Sequence, residues 1–366
     1  MRKTTELGIG IITVVSALLL AGCSKSLDNG AAPTNTQNPE PTKAQATPQA
    51  DPTTAPTPTS TQAPTSSPTP AAQEAEAAAP SMVAMSDAYM EAIMITEKCP
   101  ETVYEKKETV TYGTVLHETY ASKTTGLTRG VSIVLPPNYD ETKKYPVLYL
   151  LHGIFGNEYS FTGDKGNKLV EISGNLIAEG KAKEMIIVLP NMFAASDPNQ
   201  QPGFHAEGIA PYDNFINDLV NDLMPFMEEN YSVLTGRDNQ AIAGFSMGGR
   251  EALFIGFTRP DLFGYVIGIA PAPGLTPGTD WAMAHPGQMQ EEELKIKNSE
   301  ETPYLIMVCC GTNDSVVGTF PKSYHEIMER NEVNHIWYEI QGAGHDNNAI
   351  HSGLYNFIPS IFKAEE

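Results

Sequence analysis

The chain has 366 residues and a formal net charge of −21, from 23 Lys and Arg against 44 Asp and Glu. That length exceeds one ordinary domain, and an acidic excess spread along the chain argues against nucleic acid or an anionic membrane surface as a partner held by charge. The four cysteines show no C-x-x-C spacing, so they form neither a disulfide framework nor a metal site.

Arg2 and Lys3 precede an apolar stretch from Leu7 to Leu20, too short and too early for a permanent span. It ends in Leu20-Ala21-Gly22-Cys23, which resembles a bacterial lipobox. Residues 1–23 are therefore expected to be a lipoprotein signal peptide, cleaved to leave a diacylglycerol on Cys23. Two or three acyl chains hold a protein firmly to a membrane, which places this one on the extracellular face of the bacterial membrane. Residues 24–80 are Pro, Thr, Ala, Ser and Gln with almost no large apolar side chain. Such a segment cannot offset its ordering entropy and is expected to be a disordered linker. In polyproline II form it reaches on the order of 150 Å.

The folded part is expected over 81–366. Met82, Met85, Tyr89, Ala92 and Ile93 fall near helical spacing, which predicts one helix over 81–98, capped by Ser81 or Ser86 and packed on the domain edge. Val115–Tyr120 and Val131–Leu135 alternate like antiparallel strands. Val147–Leu151 and Met185–Leu189 are continuous apolar runs, as strands buried on both faces require. A helix is expected over Leu169–Ala178, a Gly/Pro-rich loop over 192–211, and a striped helix over Asn214–Asn230. Strands Gln240–Ala243, Tyr265–Ile269, Tyr304–Cys310 and Ile336–Ile340 alternate with helices, the last running to Phe362. Cys309 and Cys310, neighbours in a strand, are expected to be small buried hydrophobes on opposite faces. This alternation predicts an α/β fold, a mostly parallel central sheet with helices on both faces.

The chemistry centres on Gly244-Phe245-Ser246-Met247-Gly248-Gly249, between a strand and a helix. G-x-S-x-G in that context is a nucleophile elbow, with glycines where side chains would collide with neighbouring backbone. Ser246 is the expected nucleophile, and the N–H of Met247 an expected oxyanion donor. A serine needs a base, and the base a partner that fixes its tautomer. Asp314 follows one late strand and His345, after Gln341-Gly342-Ala343-Gly344, follows the next, which gives the order Ser, Asp, His on one edge of the sheet. Asp346 is read as a helix cap. His152 in Leu151-His152-Gly153-Ile154 is read as holding its loop, and the N–H of Ile154 as the second oxyanion donor.

From about 100 to 363 the chain resembles carbohydrate esterase family 1, the feruloyl and acetylxylan esterases, within the esterase D-like α/β-hydrolases. The resemblance rests on Val134-Leu-Pro-Pro-Asn-Tyr139, Tyr145-Pro-Val-Leu-Tyr-Leu-Leu-His-Gly153, the elbow, Gly311-Thr-Asn-Asp314 and Gly344-His345-Asp346. It implies Ser246, Asp314 and His345 as a triad, with no metal and no organic cofactor. It implies a serine ester hydrolase acting on feruloyl or acetyl groups of plant-wall polysaccharide. S-formylglutathione hydrolases, siderophore esterases and mycolyltransferases look similar over the same stretches, so another ester, an acyl transfer or a non-catalytic surface module stays open. Phe155, Phe161, Phe193, Phe204 and Trp281 are candidate walls of an aromatic slot.

Overall fold

The computed structural model describes residues 79–163, 166–278 and 284–364. Cys23, residues 24–78 of the Pro/Thr-rich segment and Trp281 lie outside these residues. Eight strands form one sheet: β1 (Thr114–Ala121), β2 (Thr128–Leu135), β3 (Val147–Leu151), β4 (Ile186–Pro190), β5 (Gln240–Phe245), β6 (Tyr265–Ile269), β7 (Leu305–Gly311) and β8 (Ile336–Ile340). Their order is β1-β2-β4-β3-β5-β6-β7-β8. β2 runs antiparallel to both β1 and β4, and every other pair is parallel.

The continuous apolar runs are the strands covered on both faces: every residue of β3, β4, β6 and β7 is buried. Alternate side chains enter different cores, as a period of two requires. Tyr149, Leu151, Ile242 and Val308 join one core with α7 (Met247–Thr258) and α8 (Phe320–Arg330). Leu148, Leu150, Ala243 and Ile267 join the other with α3 (Leu169–Ala178) and α9 (Asn347–Phe357). Cys309 and Cys310 do face different clusters, and with Cys99 they are free, buried thiols.

Four local features differ from, or refine, the sequence reading. The first helix, α1 (Met82–Glu91), stops well short of 98. The side chain of Ser81 caps it by accepting from the Ala84 amide, whereas Ser86 is buried and donates to the carbonyl of Pro303. Beyond it the chain is held by Asn356, whose amide side chain bonds both the N–H and the C=O of Thr96 at 2.9 Å and takes the place of further helical bonds. A short α2 (Glu101–Tyr104) follows.

The loop expected over 192–211 closes into α4 (Ala206–Asp213), with Pro211 inside it. Proline has no N–H for the carbonyl four residues earlier; that carbonyl, of Glu207, accepts instead from the Gln200 side chain at 2.6 Å. The striped segment becomes α5 (Phe215–Asp218), a π-helical turn over Leu219–Leu223, and α6 (Met224–Asn230). Phe215, Leu219, Leu223 and Met227 are all fully buried. Four α-helical residues overshoot one turn by about 40°, so three such steps would carry this stripe about 120° off the core. The wider π turn cancels part of that drift. Finally, α9 gives way at Phe357 to a 3₁₀ turn over Ile358–Ser360, where Pro359 cannot continue the α-helical ladder.

Candidate active site

Ser246 sits between β5 and α7 with φ 58° and ψ −118°, a backbone conformation that non-glycine residues seldom adopt. Its N–H donates to the carbonyl of Ile269 at 3.0 Å, and its own carbonyl accepts from Arg250 and Ala272 at 3.0 and 2.9 Å. These bonds hold the strained turn in place. Gly248 is required by close approach, since a β-carbon there would lie 2.2 Å from the carbonyl oxygen of Leu151.

Asp314 follows β7 and His345 follows β8, and their loops are stitched together. The Asn313 amide donates to the carbonyl of Ala343 at 2.9 Å, and the Gly342 amide to the hydroxyl of Thr312 at 2.9 Å. Nδ1 of His345 then meets Oδ2 of Asp314 at 2.7 Å, a spacing at which the imidazole N–H donates to the carboxylate. Oδ1 of Asp314 accepts from the amides of Val316 and Val317 at 2.9 and 3.1 Å. The aspartate is thus both an Asx-turn residue and the histidine's partner. Burial works to raise its pKa, but the bonds from His345, Val317 and Val316 outweigh that and hold the carboxyl below its usual range. The ring of Phe245 packs against that of His345, 4.4 Å centroid to centroid. Asp346 caps α9, accepting from the amides of Asn348 and Ala349.

Ser246, Met247, Gly153, Ile154 and His345 line one cavity of about 450 Å³. Gly153 faces the nucleophile: a β-carbon on it would stand 3.4 Å from that of Ser246. Met247 opens α7, so its amide has no intrahelical acceptor. His152 is buried, with Nδ1 2.7 Å from the carbonyl of Gly153 and Nε2 3.0 Å from the amide of Met192. An amide can only donate, so Nε2 is the acceptor and Nδ1 carries the proton. Burial pushes the pKa of this imidazole down to about 4. His152 therefore holds the Gly153 loop and has no free nitrogen for catalysis.

The aromatic candidates separate. Phe204 lines the cavity of Ser246, and Phe155 and Phe161 line an adjoining one. Phe161, however, is only 4% exposed and packs in the core. Phe193 is not brought to the cleft; it packs against Tyr212 at 5.1 Å and borders a separate groove beside Arg129.

The family model "Esterase", described as "Putative esterase", matches residues 122–364. The chain belongs to this family. Among solved structures, a CE1 ferulic acid esterase from Anaeromyces mucronatus, in complex with ferulic acid, is similar at 49% identity and TM-score 0.70, covering 75% of this chain and 100% of that one. The feruloyl esterase module from Clostridium thermocellum complexed with sinapinate is 20% identical with TM-score 0.57, covering 75% of this chain and 96% of that one, which is a likeness of fold. The sheet order and the helices on both of its faces are those of an α/β-hydrolase. An "Endo-1,4-beta-xylanase/feruloyl esterase" of Xylanibacter ruminicola is 30% identical over 220 residues, or 59% of this chain. The chain spans only 27% of that relative's length.

This esterase carries a second polar cluster under the elbow that no motif announced. Arg250, 1% exposed in the first turn of α7, donates to Oδ1 of Asp213 at 2.8 Å and also contacts Glu251. Nε2 of His285 lies 3.0 Å from Nη1 of Arg250, and Nδ1 of His285 lies 2.8 Å from Oδ2 of Asp213. Burial pushes the Glu251 carboxyl up to about 8, despite the pull of the Arg250 charge. The cluster ties α4 and the 284–290 segment to the helix that carries the elbow. Its members come from three separate segments, so only the Arg250-Glu251 charge pair inside an otherwise largely apolar helix hinted at it.

Proposed function

We propose that this esterase is a serine carboxylic-ester hydrolase in which Ser246, His345 and Asp314 act as a triad. The observation that carries the reading is the 2.7 Å contact of Asp314 with His345, which lines the same cavity as Ser246. The Ser246 hydroxyl adds to the ester carbonyl carbon while Nε2 of His345 takes its proton. The carbonyl oxygen becomes an oxyanion, held by the amides of Met247 and Ile154. Collapse expels the alcohol, which receives the proton from His345 and leaves an acyl-enzyme. Water then repeats the sequence and releases the acid. Asp314 fixes the Nδ1–H tautomer and stabilises the imidazolium.

The proposed substrates are feruloyl esters of plant-wall polysaccharide. The similarity to an esterase solved with ferulic acid supports this, as does a cavity of about 450 Å³ walled by Pro273, Val316 and Val317, larger and more apolar than an acetyl group calls for. Relative kcat/KM on methyl ferulate, acetylated xylan and a small aryl acetate tests it. Preference for the aryl acetate or the acetylated xylan would sink the feruloyl assignment. Absence of turnover on all three, with no labelling of Ser246 by a serine-directed phosphonate, would sink the esterase itself.

We further propose that Cys23 is lipidated and that residues 24–80 act as a spacer from the membrane, which suits a polymeric substrate. Incorporation of labelled palmitate by the full chain, abolished in Cys23→Ser, is the expected result.

A further inference from the structure

The cleft at Ser246 has two arms that meet at His345, sharing Gly153, Ile154, Phe245 and His345 itself. The arm beyond Met247 is walled by apolar side chains. The other, about 390 Å³, lies between the loop after β3 and the start of α9, where Ser160, Asn167, Asp346 and Asn347 line it beside Phe155. A neutral aromatic acid has little use for that set of hydroxyl, amide and carboxylate groups.

Phe155 is the second anomaly. It has φ 63°, in the left-handed region, where a bulky side chain is strained. The ring gains little burial in return, for it is 59% exposed. Its amide is held by the hydroxyl of Tyr212 at 3.2 Å. The ring meets that of Phe204, itself 55% exposed, edge-on at 5.6 Å. Backbone strain is thus maintained where its visible result is an aromatic face presented to solvent beside the cleft.

We propose that the polar arm is the alcohol subsite and takes the sugar residue that bears the ester, with Phe155 as the platform on which that sugar lies. The inference rests on the triad reading above, because His345 must return its proton to the leaving oxygen and so has the alcohol beside it. The apolar arm then holds the acid. A sugar has a polar rim and apolar C–H faces. It is recognised by amide and carboxylate partners at its edge and a flat ring against its face. A methyl ester uses none of these.

The test compares two esters of one acid, methyl ferulate and a feruloylated arabinose, in the unsubstituted esterase, Phe155→Ala and Phe155→Trp. The ratio of kcat/KM for the sugar ester to that for the methyl ester should fall about tenfold in Phe155→Ala, and Phe155→Trp should restore it. A ratio unchanged in Phe155→Ala overturns the proposal. A second readout avoids catalysis: in the Ser246→Ala background, titration with an unesterified arabinoxylo-oligosaccharide should show saturable binding that Phe155→Ala weakens. No binding at millimolar oligosaccharide also overturns it. If the unsubstituted chain cleaves neither ester, the hydrolase reading fails, and the binding titration alone decides the sugar subsite.

Discussion

Gly244 and Gly248 approach so closely across the elbow that a β-carbon on Gly244 would lie 2.1 Å from the carbonyl oxygen of Gly248. The contact is to backbone that α7 fixes, so it cannot be relieved by a rotamer change. Gly244→Ala is therefore expected to cost about 3 kcal/mol or more. Thermal unfolding should show it as a marked fall in Tm, with loss of esterase turnover beyond what the remaining folded fraction explains.

Ser246→Ala removes one oxygen and disturbs none of the three backbone bonds that hold the turn. Turnover should disappear while the unfolding midpoint and circular dichroism stay at their starting values. Persistent activity in a clean preparation would contradict the triad. Asp314→Asn keeps the shape but not the charge, and should lower kcat by roughly 10³–10⁴.

His152 gives a pH dependence of stability with a definite sign. Its folded pKa is depressed to about 4 by burial, against about 6.5 in an unfolded chain. Between those values the unfolded state binds the extra proton, so stability falls as pH drops from 6.5 to 4. The whole effect is at most roughly 3 kcal/mol. His152→Asn should be less stable at neutral pH but should lose this slope. Parallel Tm-against-pH curves for the two proteins would contradict the assignment.

Glu251 works in the opposite direction. Its folded pKa is raised to about 8 by burial, so above its ordinary value of 4.5 the folded state holds the extra proton. Stability should therefore decline as pH rises from 4.5 to 8. Glu251→Gln, which keeps an acceptor for Arg250, should remove that decline and gain on the wild-type protein most at pH 8. Chemical denaturation at pH 5 and pH 8 measures the difference.

The centre of the sheet was legible because its strands are buried on both faces: β3 and β6 begin and end where their apolar runs do. The order of nucleophile, acid and base was legible too, because each follows a strand end and a glycine marks the turn. What the sequence hid was settled by partners distant along the chain. Asn356 holds the chain beyond the first helix by binding Thr96 from 260 positions away. Gln200 supplies the donor that Pro211 withholds from the Glu207 carbonyl. Phe193 packs on Tyr212 and borders a separate groove instead of the cleft. The Arg250 cluster joins Arg250 and Glu251 of α7 to Asp213 and His285 from two distant segments, which no local pattern can display.

The buried cysteines have a practical consequence. Burial pushes the thiols of Cys99, Cys309 and Cys310 up to about 12. At neutral pH they hold almost no thiolate, the species that alkylating reagents attack. In a protein starting beyond Cys23, one cysteine added at an exposed position would be the sole fast-reacting sulfur. A fluorophore or a solid support could then be attached there without first mutating the native three.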